Sequence, residues 1–146
     1  MSPGRIDSGT VRRHLLELDE ALSNLAQHAG RSADVLRDDV TERWAVERGL
    51  QLCVQNVLDI ATHLVASAGR DAPDYTTAIE ELGRLGMLPP ELARKLRPLA
   101  GFRNVLVHGY LKLDLDRVHE VLNMHLDEVR EFARAIDAHL AAAESG

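Results

Sequence analysis

The stretch VTERWAVERGLQLCVQNVLDIATHLVASA, residues 40–68, decides how this chain folds. Leu50, Cys53, Val54, Val57, Ala61, Leu64, Val65 and Ala68 recur at helical intervals, which predicts one long helix from about Val40 to Ala68 with a continuous apolar stripe. At 100° per residue, Leu52, Asn56, Asp59 and His63 gather on the opposite face. That second stripe is polar but carries little charge. It fits either a solvated back face or a second contact surface, such as a dimer face.

Outward from this helix the same period continues. Toward the N-terminus, Val11, Leu15, Leu18, Leu22, Leu25 and Ala29 form a stripe on a helix ending at Gly30. Residues 32–39 read as a short helical turn or a connecting loop. Toward the C-terminus, Asp74 caps a short helix from Tyr75 to about Leu85, which Gly86 ends. Pro89 and Pro90 open a further helix toward His108, which Pro98 should kink or divide. Asp114 caps the last helix, with a stripe of Leu115, Val118, Leu122, His125, Val129, Ala133, Ile136 and Leu140. No strand pattern or repeat appears. The fold class is all-α, an up-down bundle of four main helices plus short helices.

Composition agrees. The 146 residues are 45% hydrophobic but only 3% aromatic, so the core must come from Leu, Val, Ile and Ala. A single cysteine, Cys53, excludes an internal disulfide framework and a cysteine-based zinc site, and points to a reducing, cytoplasmic compartment. No signal peptide is visible. The longest uncharged stretches hold ten residues, Gly49–Leu58 and Ile60–Gly69, against about 20 for a membrane helix. Trp44 reads as a core or interface anchor rather than a base-stacking platform. The seven histidines contain no H-E-x-x-H and no i,i+4 pair, so no metal site and no cofactor is expected.

The candidate chemistry lies in Gly101-Phe-Arg-Asn-Val-Leu-Val-His-Gly-Tyr110. Arg103, Asn104, His108 and Tyr110 fall within eight residues, separated by apolar positions. Asn104 and His108 share a helix face. A helix that ends near Gly109 would leave this polar cluster at a helix terminus beside a cleft.

R-N-V-L-V-H-G-Y resembles the R-x4-H-x-Y motif of HepT-like toxins in the HEPN superfamily. The stretch from Glu42 to Ser67, with its D-I-A-x-H element at Asp59–His63, is similar to the long second helix of that family. The segment Ala72–Pro89 and the aspartate at Asp114 match as well. Gly109 occupies a variable position of the motif. The resemblance spans roughly Val11 to Leu140. It implies one HEPN-like domain over 1–146, with frayed ends at about 1–9 and 142–146.

The resemblance implies a metal-independent endoribonuclease acting as a homodimer. The two Arg103–His108 motifs would line one cleft, and RNA would be cleaved by attack of its own 2′-hydroxyl. Histidine suits the acid and base roles near neutral pH. Arginine suits a phosphate in the transition state. Asn104 would orient phosphate or ribose. Asp59 and His63 would form either a surface ion pair or a support shell near the cleft. The implied partner is an MNT-type nucleotidyltransferase antitoxin, which would neutralise the toxin by AMPylation of Tyr110. The alternative is a non-catalytic HEPN dimer that binds a nucleotidyltransferase.

The net charge of −6 argues against a protein that coats nucleic acid. Its distribution is uneven. From Arg84 to Arg103 there are five basic residues and one acidic residue, so this segment carries +4 and the rest of the chain −10. That asymmetry predicts a local positive site on an acidic body and a salt-sensitive, short-contact RNA cutter.

Overall fold

The computed structural model describes residues 6–108 and 114–145, with the side chains of Val107 and His108 outside that description. Eight helices follow in order: α1 (Ser8–Ala26), α2 (Ala33–Asp38), α3 (Val40–Ser67), α4 (Tyr75–Arg84), α5 (Pro90–Leu96), α6 (Pro98–His108), α7 (Leu115–Met124) and α8 (Leu126–Ser145). No strand occurs among the described residues. One contiguous apolar core joins them, and α3 runs through it against α1, α4, α6, α7 and α8.

Local chemistry sets most boundaries. Asp7, Ser32, Asp39, Asp74 and Asp114 each accept a hydrogen bond from the backbone N–H three residues on, giving five capped N-termini. The Thr10 hydroxyl, with its backbone N–H, holds the Asp7 carboxyl below the usual carboxylate range. Pro90 occupies the first turn of α5, where its missing N–H removes no helical bond. Pro98 does divide the helix, separating α5 from α6. Gly86 closes α4 at φ 76°, a conformation that disfavours any side chain.

Three sequence expectations change, and the open choice for the second stripe of α3 is decided. The first helix ends at Ala26 rather than Gly30, and Ala29 is exposed. The second stripe of α3 is a contact surface for α1 at Asn56 and His63, with Leu52, Asp59 and His63 half-buried. Asn56 is buried, its Oδ1 bonded to His14 Nδ1 of α1 at 2.7 Å and its Nδ2 donating to the Leu52 carbonyl. A helix surrounded by neighbours must bury polar positions too, and each then needs a partner.

The last helix is broken at His125, whose ring lies between Glu120 and Glu128. The break resets the register, so Phe132 enters the core and Ala133 only borders it. The ring buries far more apolar area than a methyl group. Finally, helix extends from Ser8 at one end and through Ser145 at the other, beyond the expected fraying. Arg12 of α1 clamps that C-terminal stretch by ion pairs to Asp137 and Glu144.

The tightest approach is between α1 and α3. A Cβ added to Gly49 would lie 2.6 Å from Leu25 Cδ2 and 2.8 Å from its Cγ, and Leu25 is fully buried. Gly49→Ala would improve helix propensity by roughly 1 kcal/mol. Forcing α1 away costs about 1–3 kcal/mol. We expect a net fall in the urea midpoint of this variant with an unchanged m-value.

Candidate active site

Helix α6 carries Arg103 and Asn104 and ends at His108. Its buried residues Leu99, Phe102 and Leu106 seat it on the core, next to α3. That packing leaves Arg103 half-buried at the seam and Asn104 exposed. Tyr110, Gly109 and the 111–113 connector lie outside the described residues. For His108 the backbone alone is described, one helical turn beyond Asn104.

Arg103 is held on three sides. Its Nε donates to Gln55 Oε1 of α3 at 3.1 Å. Its Nη1 lies 3.4 Å from Asn104 Oδ1. Its guanidinium carbon sits 5.3 Å from the centroid of the Tyr75 ring, at the start of α4. Gln55 is in turn bound to Asp59, its Nε2 donating to Oδ1 at 2.8 Å. Asp59 therefore reaches the motif arginine through an amide rather than by direct contact.

His63 is turned elsewhere. Its Nε2 accepts the backbone N–H of Asp7 at 3.2 Å, where α1 begins. The i,i+4 pair expected between Asp59 and His63 is replaced by these two separate engagements. The arrangement thus joins Asp59, Arg103 and Asn104 and directs His63 to the N-terminus of α1. Sequence reasoning missed Gln55 and Tyr75. Gln55 was legible only as a residue four before Asp59 on one helix face. Tyr75 gave no signal, because its partner lies on a different helix.

Beside Arg103 a cavity of about 360 Å³ opens between α3 and α6, lined by Arg48, Gln51, Leu52, Gln55 and Leu106 among others. Its mixed lining, with two glutamine amides and two guanidinium groups, suits an anionic ligand with some apolar surface. Among the described residues, no three His, Cys, Asp or Glu side chains gather as a metal-holding group. No helix among them is long and apolar enough to cross a membrane.

The charge map needs correction. Of the five basic residues between Arg84 and Arg103, three meet carboxylates among the described residues. Arg84 pairs with Glu80 and Glu81, Arg97 with Glu80, and Arg94 with Glu91. Glu80 and Glu81 lie just outside the segment that carried the net count. They reach Arg84 within α4 itself, and the packing of α4 on α5 brings Glu80 to Arg97 as well. Within the segment, Lys95 and Arg103 are left without a carboxylate partner among the described residues, and Arg48 shares the cavity with Arg103. Trp44 is 65% exposed and so is not a core anchor.

An all-helical bundle with Arg-x4-His on a helix packed against its longest helix has the layout of a HEPN domain. The Ribonuclease HepT-like family pattern matches residues 18–136, and the chain belongs to that family. The tRNA nuclease HepT of Aphanizomenon flos-aquae is 31% identical over 141 residues, covering 95% of each chain. The mRNA nuclease HepT of Shewanella oneidensis is 29% identical over 103 residues, covering 70% of this chain and 77% of that protein. A solved structure of the tri-AMPylated Shewanella oneidensis HEPN toxin in complex with MNT antitoxin superposes with a TM-score of 0.76 at 23% identity. That match covers 88% of this chain and 96% of that one, and it supports the shared fold.

Cys53 completes the inventory of reactive groups. Burial in the core pushes its thiol up to about 12, so it has no thiolate character at neutral pH. We expect no reaction with Ellman's reagent in the folded protein at neutral pH, and one thiol titrated after denaturation.

Proposed function

We propose that this protein is the toxin ribonuclease of a HEPN/MNT toxin–antitoxin pair, cutting RNA without a metal at a cleft shared by two copies of the chain. The observation that carries this reading is the arginine itself. Its Nε donates to Gln55, one Nη1 N–H faces Asn104 Oδ1 at 3.4 Å and its guanidinium carbon lies over the Tyr75 ring, which leaves one Nη1 N–H and the Nη2 N–H groups without a partner among the described residues. A guanidinium held this way presents two donors to two oxygens of one phosphate.

The chemistry follows from the residue types. A neutral His108 takes the proton of the ribose 2′-hydroxyl, whose oxygen then bonds to the adjacent phosphorus. The bond from phosphorus to the 5′-oxygen breaks, and a protonated His108 of the second copy donates a proton to that oxygen. Products are a 2′,3′-cyclic phosphate and a 5′-hydroxyl. Arg103 stabilises the charge that builds on the non-bridging oxygens. Asn104, one turn before His108, orients the phosphate or ribose, and Asp59 supports the arginine from behind. Water takes no part in this step, and every proton is accounted for by the two histidines.

Regulation follows from Tyr110, two residues beyond His108. AMP groups added there by a nucleotidyltransferase antitoxin bring bulk and negative charge to the arginine's anion site. They would exclude the RNA phosphate by occupancy and repulsion. The AMPylated, antitoxin-bound relative from Shewanella oneidensis supports this reading.

Expression of the chain alone should arrest growth, and Arg103→Ala or His108→Ala should relieve the arrest. In purified protein each substitution should lower RNA cleavage by about 100-fold or more, and EDTA should leave wild-type cleavage unchanged. Wild-type activity in both variants would sink the assignment. After co-expression with the neighbouring nucleotidyltransferase, intact mass should rise by whole AMP increments, and Tyr110→Phe should abolish the rise. Full neutralisation at unmodified mass would overturn the role given to Tyr110.

A further inference from the structure

We infer that Gln55 and Tyr75 are positioning residues for Arg103, and that Asp59 acts on the arginine through Gln55 by fixing the direction of its amide. As a contribution to RNA cleavage, this rests on the ribonuclease reading above.

Hydrogen-bond polarity fixes the amide of Gln55. Gln55 sits between an arginine Nε–H, which can only donate, and an aspartate carboxylate, which can only accept. A side-chain amide has one end of each kind. Only one of its two orientations satisfies both neighbours: Nε2 to Asp59 and Oε1 to Arg103. The opposite orientation would set two donors against each other at the arginine and two acceptors against each other at the aspartate. Asp59 therefore determines which end of Gln55 faces Arg103. A neutral partner at 59, able to donate as well as accept, would not.

The charge of Arg103 is handled differently from that of its neighbours. Most arginines of the neighbouring helices, Arg84, Arg94 and Arg97, are held directly by carboxylates. Arg103 is held by an amide. A carboxylate bound straight to the guanidinium would compete with a phosphate for the same charge. Placing Gln55 between them keeps the arginine oriented while its positive charge remains available to an anion. The chain Asp59–Gln55–Arg103 also polarises in one direction, which strengthens the bond at the arginine.

Gln55 and Tyr75 also constrain the guanidinium geometrically. The Nε contact fixes one edge of the planar group, and Tyr75, 5.3 Å from the guanidinium carbon, limits rotation about that edge by offering its ring face. Two constraints from different helices, α3 and α4, define the plane in which Nη1 and Nη2 must lie. Arginine otherwise carries several freely rotating bonds, and ordering them at the moment of reaction would raise the barrier.

The test combines a double-mutant cycle with a readout that does not need RNA. Gln55→Leu should lower kcat/KM for RNA cleavage by about tenfold, with a melting temperature close to wild type. Asp59→Asn should lower it by a smaller factor. In the Gln55→Leu background, Asp59→Asn should have no further effect, because its only route to Arg103 has been removed. Tyr75→Phe should keep wild-type kcat/KM and Tyr75→Leu should lose several-fold.

Independently, the Arg103 Nε–H proton should exchange slowly with solvent in wild type, as seen in ¹⁵N-edited NMR spectra, and fast in Gln55→Leu. If Arg103→Ala abolishes cleavage while Gln55→Leu keeps wild-type kcat/KM, the positioning role is overturned. Multiplicative effects of the Gln55 and Asp59 changes would overturn the route from Asp59. If Arg103→Ala leaves RNA cleavage unchanged, the ribonuclease reading itself fails. The Nε–H exchange then decides the relay alone, and equal exchange in wild type and Gln55→Leu would overturn it.

Discussion

Apart from a narrow strip through Thr41, Ala45, Arg48, Thr62 and Ala66 that faces water, helix α3 is apolar around its circumference. Val46, Leu50, Val54, Val57, Leu58, Ile60, Ala61, Leu64 and Val65 are all buried, and they do not fit on one stripe. Burial of this kind is the dominant favourable term in folding. It forces the other helices to assemble around α3. Gly49 sets how closely α1 can come, and α4, α6, α7 and α8 cover its other apolar sides. The bundle is the set of coverings that this one helix requires.

Packing α3 in this way creates a second requirement, because Asn56 goes inside with it and Gln55, Asp59 and His63 are half-buried. Gln55, Asn56, Asp59 and His63 each resolve that requirement differently. Asn56 pairs with His14, and His63 receives the first turn of α1. Both fasten α1 to α3. Gln55 and Asp59 meet the motif helix instead, and their bond holds Arg103 at the seam. One helix face thus contributes fastening at one side and site geometry at the other. The difference follows from which neighbour each residue happens to oppose.

Charge is distributed by the same packing. The run from Arg84 to Arg103 is basic along the chain, yet α4 returns Glu80 and Glu81 to it in space. Coulombic attraction at these short distances discharges most of the run. What survives in the run lies at Lys95 and Arg103, which no carboxylate pairs with among the described residues. A protein with an overall acidic surface can present an anion site in this way without attracting nucleic acid over its whole surface.

The helical class, the N-terminal caps at Asp74 and Asp114, the division at Pro98 and the Arg103–His108 spacing were determined by sequence alone. Each depends on residues within about one helical turn of each other, where sterics and backbone hydrogen bonding act locally. The break at His125 and the entry of Phe132 into the core were decided by packing, since a continuous helix satisfied the local pattern equally well. So were the burial of Asn56, the discharge of the basic run, and the Asp59–Gln55–Arg103–Tyr75 arrangement. Apart from the i,i+3 and i,i+4 pairs within single helices, these joinings link residues far apart in the chain. They depend on the rotation of α3, α4 and α6 about their axes, and the whole core sets that rotation.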